Sequence, residues 1–122
     1  MIRVAAKQKL TFFQKDISIP KGWAIESRVY AEDPTKYLPS IGRLNTYIEP
    51  KSDDVGGSVR CDSGIVEGSE ISIYYDPMIC KLCTFGETRK EAIRVAEKAL
   101  DSYVIKGKFI LYIHYHILSV RC

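Results

Sequence analysis

Much of the usual equipment of a self-contained enzyme is missing from these 122 residues. There is no P-loop, no G-x-G-x-x-G dinucleotide fingerprint, no G-x-S-x-G nucleophile elbow and no H-E-x-x-H pair, so spacing alone assigns no reaction. No apolar run is long enough to span a bilayer, and the N-terminus has neither the h-region and cleavage site of a secretory leader nor an Arg/Ser-rich presequence. The chain is expected to be soluble, with no membrane partner and no targeting segment of its own. Positive charge is not concentrated either: 18 Lys and Arg against 15 Asp and Glu leave a net charge of +3, scattered rather than stacked into a stripe, which argues against a nucleic-acid partner. Two histidines are too few for most metal centres without help from other ligands.

What is present fits one small domain. With 46% hydrophobic and 27% charged residues the chain can bury a single modest core, and two domains would not fit comfortably. Of the four cysteines, Cys80 and Cys83 spell C-x-x-C inside Met78–Phe85 (M-I-C-K-L-C-T-F). That stretch reads as a buried strand, on which residues three apart face opposite sides, so the two thiols diverge. No second pair at matching spacing completes a zinc site. The cysteines are expected to be packing residues of a reducing compartment. His114 and His116 share one face of a strand, the arrangement a two-histidine metal site could use, but two ligands without a nearby carboxylate or Cys make a weak site, and they are expected to be polar strand positions. The acidic pairs Glu32-Asp33 and Asp53-Asp54 sit by turns, where solvated or capping carboxylates are common.

Periodicity sets out the elements. Trp23–Ala31 alternates, with Trp23, Ile25, Val29 and Ala31 on one side and Glu26 and Arg28 on the other, which predicts a strand with a charged face. Glu32-Asp33-Pro34 ends it. Further strands are predicted over 43–49, 59–62 and 78–85, with 71–75 extended and 51–57 a polar loop. One helix is predicted over Arg89–Lys106: Thr88 and Glu91 form a T-x-x-E capping box, Ala92, Ala96, Ala99, Leu100 and Tyr103 recur at helical spacing, and Gly107 falls where a C-terminal glycine belongs. Residues 1–6 read as the last turns of a longer helix. Antiparallel strands with one long amphipathic helix make an α+β domain.

The motifs A-E-D-P at Ala31–Pro34, L-P-S at Leu38–Ser40, V-R-C-D-S at Val59–Ser63 and Y-Y-D-P-M-I-C-K-L at Tyr74–Leu82 together resemble the C-terminal domain of biotin carboxylases. Their order and spacing make the match far more specific than any one motif. A finer resemblance, to biotin carboxylase subunits of the propionyl-CoA carboxylase alpha type, rests on Met1–Ala5, Ser40–Leu44, Ile71–Tyr75 and Ala99–Gly107. It covers about residues 1–107, more weakly between Lys7 and Lys21.

The resemblance implies a reaction. In the family, ATP activates bicarbonate with magnesium present, and the carboxyl group passes to the ureido nitrogen of biotin on a carrier domain. A carboxyltransferase beta subunit then delivers it to the acyl-CoA. Arg60 matches the family arginine that faces the ureido oxygen, and is the one catalytic residue this implies; a guanidinium stays protonated and can hold a developing oxyanion with directed donors. Tyr74–Met78 and Lys81 match family positions with expected packing and interface roles, and Phe85, Glu87 and Arg89 fall where family members make dimer contacts. The ATP-grasp portion that holds nucleotide, magnesium and bicarbonate has no counterpart in the chain, so none of biotin, ATP or magnesium is expected to bind it tightly. By resemblance the protein belongs in the mitochondrial matrix.

The expectation is therefore an enzyme part, inactive alone, with a non-catalytic assembly module or a truncated gene product as the alternatives. Lys7 and Lys9 stand where the family has Gly and Pro at a helix end. Residues 108–122 (K-F-I-L-Y-I-H-Y-H-I-L-S-V-R-C) read as a non-family tail, consistent with translation into an intron. High β propensity, low charge and the lack of proline make it aggregation-prone unless it docks as an edge strand.

Overall fold

A computed structural model describes residues 1–33, 36, 38–72 and 74–107, and the backbone of 112–120. Among the described residues these elements follow one another: α1 (Ile2–Ala5), α2 (Gln14–Ile17), β1 (Trp23–Glu32), β2 (Gly42–Ile48), α3 (Ser52–Val55), β3 (Ser58–Ser63), β4 (Glu70–Ile71), β5 (Met78–Gly86), α4 (Arg89–Asp101), β6 (Val104–Gly107) and β7 (Tyr112–Val120). They form an antiparallel four-stranded sheet in the order β3-β5-β1-β7 and a three-stranded sheet in the order β4-β2-β6. The α+β architecture expected from the sequence is the one observed.

The two central strands carry most of the core. Along β1 the period-two alternation turns Ile25, Ser27, Val29 and Ala31 inward, and along β5 Cys80, Leu82 and Thr84 do the same. Their pairing runs from Trp23 opposite Gly86 to Val29 opposite Cys80, with one register shift between Val29 and Tyr30. Helix α4 covers this inner face with Ala92, Val95, Ala96 and Ala99. Small residues on the helix let it lie close to the sheet. At Gly86 the helix backbone itself comes close, because a Cβ there would fall 2.5 Å from the backbone nitrogen of Ala92.

Three expectations change in the structure. The helix ends at Asp101, not Lys106, and Val104–Gly107 becomes β6 against β2. Ser102 donates its hydroxyl to the Lys98 carbonyl at 2.7 Å and ends the helix there. Beyond it the β-branched Val104 and Ile105 find ladder partners in Ile48 and Tyr47, so Gly107 lies in a strand rather than at a helix end. The 51–57 loop contains the single turn α3, closed by Gly56 in the left-handed region (φ 63°) and anchored by buried Val55. In 71–75 only Ile71 is in a strand, Tyr74 and Tyr75 are exposed, and residue 73 lies outside the described residues.

The capping box is also shifted. Thr88 Oγ1 accepts from Glu91 N at 3.2 Å as expected, but the Glu91 carboxylate takes the amide of Glu87 rather than that of Thr88. At the other end of the chain α1 closes in a Schellman arrangement, with Lys7 N on Val4 O and Gln8 N on Arg3 O. Lys7 there has φ 57°, the backbone region a glycine adopts without strain.

Between the two sheets a polar cluster joins the core. The Tyr47 hydroxyl lies 2.9 Å from that of Tyr103 and 2.7 Å from Ser63 Oγ, which also bonds the Glu49 carboxylate. Cys61 donates to the Pro50 carbonyl at 3.9 Å. Among the described residues no buried side-chain nitrogen or oxygen lacks a partner. Burial pushes the Cys61 thiol from its ordinary 9.0 up to about 12 and raises both phenols.

Two outcomes follow from this packing. Gly86→Ala forces β5 away from the start of α4 and is expected to lower unfolding free energy by about 1–3 kcal/mol in denaturant titration. Because the unfolded chain releases these thiol and phenol protons before the folded one does, stability is fully present below pH 9 and is lost as pH rises toward 12. Melting temperatures should fall across that window, and Cys61→Ala should flatten the fall.

Candidate functional site

The outward face of the four-stranded sheet holds the chemistry. Strand β3 forms one edge, and its alternation sends Val59 and Cys61 toward the core while Ser58, Arg60 and Asp62 stay exposed. Register then aligns rows across the sheet. Arg60 lies opposite Cys83, which lies opposite Glu26; Asp62 lies opposite Lys81, which lies opposite Arg28. Residues remote in sequence thus share one surface.

Arg60 is the most exposed member, with 72% of its side chain accessible. Asp62 Oδ2 accepts from its Nε at 3.2 Å and lies 3.1 Å from its Nη2, while Nη2 also lies 3.6 Å from Cys83 Sγ. The hydrogen bond to Asp62 and that carboxylate's charge raise the guanidinium pKa further above its already high value. So exposed a pair adds little to stability. Its effect is to restrain the direction in which a permanently charged donor points.

A shallow concavity of about 380 Å³ opens beside this pair, with Ala24, Glu26, Ser58, Arg60, Cys83 and Phe85 on its walls. Glu26 is engaged by Arg28 at 3.3 Å. Phe85 is partly exposed, and its ring lies over Gly22, where a Cβ would come within 2.4 Å of it. Glu87 and Arg89 are exposed beyond it. Chemically the arrangement is a cation at the rim of a small hollow, suited to holding negative charge on a carbonyl-type oxygen.

Other sequence candidates separate from this surface. Cys80 is buried and Cys83 faces outward, so the C-x-x-C thiols diverge as expected, and Cys61, Cys80 and Cys83 carry no disulfide. Cys122 lies outside the described residues. His114 and His116 occupy β7 positions opposite Tyr30 and Arg28, and their side chains lie outside what is described. Among the described residues no group of three or more His, Cys, Asp or Glu is placed to hold a metal ion. Asp33 Oδ1 accepts from Lys36 N, and Asp53 and Asp54 sit in the first turn of α3, which are turn and capping roles. Tyr74 and Tyr75 are exposed, and Asp76 Oδ1 accepts from Met78 N within that corner.

Sequence reading found Arg60 but missed its neighbours. The Cys83 contact needs the β3–β5 register, which no local pattern supplies, whereas Asp62 was legible as the next outward residue on the same strand. Burial raises the Cys83 thiol pKa, and the Arg60 charge pulls it partly back. Arg60→Gln is therefore expected to move the midpoint of the pH–rate profile for Cys83 alkylation upward, read by mass spectrometry of the labelled chain.

Comparisons with known proteins show what the chain is similar to. The family model described as the biotin carboxylase C-terminal domain matches residues 26–118, a span that runs past Gly107. The chain is 57% identical over 109 residues to the mitochondrial propionyl-CoA carboxylase alpha chain of Caenorhabditis elegans and 58% identical to the human one, covering 88% of this chain and 14% of each relative. The biotin carboxylase domain of Hydrogenobacter thermophilus 2-oxoglutarate carboxylase, solved as a dimer with MgADP, ADP and bicarbonate, superposes with a TM-score of 0.78 at 35% identity, covering 93% of this chain and 23% of that one. The chain thus spans a small fraction of the length of its relatives. With the family model matching most of the chain and relatives at 57–58% identity, this chain belongs to the biotin carboxylase C-terminal domain family.

Proposed function

We propose that the chain is the C-terminal lobe of a propionyl-CoA carboxylase alpha-type biotin carboxylase subunit, working in the mitochondrial matrix, and that Arg60 is its catalytic contribution. The observation that carries this reading is the Arg60 guanidinium, restrained by Asp62 at the rim of an outward hollow, in a chain 57% identical to a propionyl-CoA carboxylase alpha chain.

The donor set fits a ureido oxygen. Arg60 stays protonated, its Asp62 partner limits its orientation, and the carboxylate of Glu26 in the same hollow is paired with Arg28. Arg60 would hold the negative charge that develops on that oxygen as the neighbouring nitrogen of biotin gives up its proton. ATP and magnesium, when bound in the complete enzyme, supply the activated bicarbonate. The described residues do not fit magnesium, since no acidic or imidazole cluster is placed for it, and the nucleotide and metal belong to the ATP-grasp portion of the same subunit. A biotin carrier domain and a carboxyltransferase beta subunit complete the set of partners.

One observation favours a second reading, a non-catalytic module that docks on a carboxylase subunit. Residues 1–20 are exposed throughout, with Ile2, Phe13 and Ile19 among them, and such a surface suits contact with a larger partner. Co-purification with a full-length subunit, without any gain in its turnover, would support that reading.

The catalytic reading is tested by replacing the matching segment of the Caenorhabditis elegans alpha chain with residues 1–107 of this chain. The isolated chain is expected to hydrolyse no ATP, the chimera to carboxylate biotin, and Arg60→Gln in the chimera to lower kcat about 100-fold, or about 3 kcal/mol, with the KM for ATP unchanged. An Arg60→Gln chimera as active as its parent would remove Arg60 from the reaction.

A further inference from the structure

We propose that β7 is a self-pairing edge, through which two copies of this chain join antiparallel about a two-fold axis at Tyr115 and merge their four-stranded sheets into one of eight strands.

The first observation is an undefended edge. β7 is the last strand in the order β3-β5-β1-β7, and it pairs with β1 from Ala24 opposite Val120 to Glu32 opposite Tyr112 with no register shift. One side of its backbone is thereby satisfied, and no described strand takes the other. Natural edge strands are usually kept apart by charged residues, proline, bulges or shortness. Tyr112–Val120 (Y-I-H-Y-H-I-L-S-V) is nine residues long and holds no Asp, Glu, Lys, Arg, Pro or Gly. A second copy brings no like charge against it at neutral pH.

The second observation selects a second copy over any other occupant. Residues 113–117 read I-H-Y-H-I, the same in both directions. In an isologous contact residue i meets residue j and j meets i, so the contacting strand must be its own complement. Antiparallel pairing centred on Tyr115 sets Tyr115 opposite itself, His114 opposite His116 of the other copy, and Ile113 opposite Ile117. The same register sets Tyr112 opposite Leu118. Positions of one parity meet positions of the same parity, so pairing keeps like residues on like faces.

Size sets the strength. Centred on Tyr115, the strand pairs over the seven residues 112–118, about 24 Å of ladder, and a ribbon contact of that length falls at or below the roughly 1,000 Å² expected of a stable interface. The dimer is therefore concentration-dependent, with a dissociation constant on the order of 10 µM.

Sedimentation velocity of the 122-residue chain from about 1 to about 200 µM tests this range. A reversible monomer–dimer transition is expected. Tyr115→Lys and Tyr115→Glu each place like charges opposite one another at the two-fold axis and should weaken dimerisation at least about tenfold, while an equimolar mixture of the two should recover it as a heterodimer. Hydrogen exchange in the unaltered chain reads the same edge without substitution: protection within 112–120 should rise with concentration, and protection in β3 should not. A parent that stays monomeric, variants that dimerise as it does, a mixture that stays monomeric, or open-ended fibres in place of dimers would each overturn the proposal.

Discussion

The pairing of β1 with β5 is the contact from which the rest of the molecule follows. Two strands about fifty residues apart lie antiparallel through eight registered pairs, and their shared alternation divides the sheet into two chemically different surfaces. Val29, Leu82 and Cys80 go inward as fully buried side chains, while Glu26, Arg28, Lys81 and Cys83 go outward. A slip of one residue in either strand would exchange the two sets and leave charged groups in the core. Helix α4 approaches closely where Gly86, at the end of β5, presents no side chain to it. Strand β3 then docks on β5 and carries Arg60 to a place decided by its partner's register.

How far this was legible before the coordinates depended on whether a signal was local. The faces of β1 and β5 were readable, because alternation is a property of neighbouring residues and burial simply follows it. The end of α4 was not: Leu100 and Tyr103 continue the helical spacing, and Tyr103 is indeed buried, yet its backbone has already left the helix for the turn before β6. That outcome depends on β2 offering Tyr47 and Ile48 as ladder partners, and on the Tyr47 hydroxyl meeting that of Tyr103, both tertiary facts. The turn at Ser52–Val55 was likewise hidden in a polar stretch whose one apolar residue, Val55, decides its position by burial.

Arg60 shows the same division at the level of function. Its identity as the residue of interest came from the motif around it, while its strand position was readable from the alternation of Val59, Arg60 and Cys61. The hollow beside it was not readable, since Ala24, Ser58 and Phe85 are brought together only when three strands are in register. An exposed arginine held by a neighbouring Asp is unremarkable as a stabilising pair, and the role proposed for it rests on the motif in which it stands.

The place of β1 in the sheet has a temporal meaning as well. β1 is an interior strand, and both partners on its two sides lie far along the sequence: β5, and beyond it β7, which sets Val120 opposite Ala24. During synthesis β1 would therefore emerge before either of the strands that cover its edges. A sheet closed by such distant pairings pays its loop-closure entropy before it gains its contacts, and folds slowly for its size.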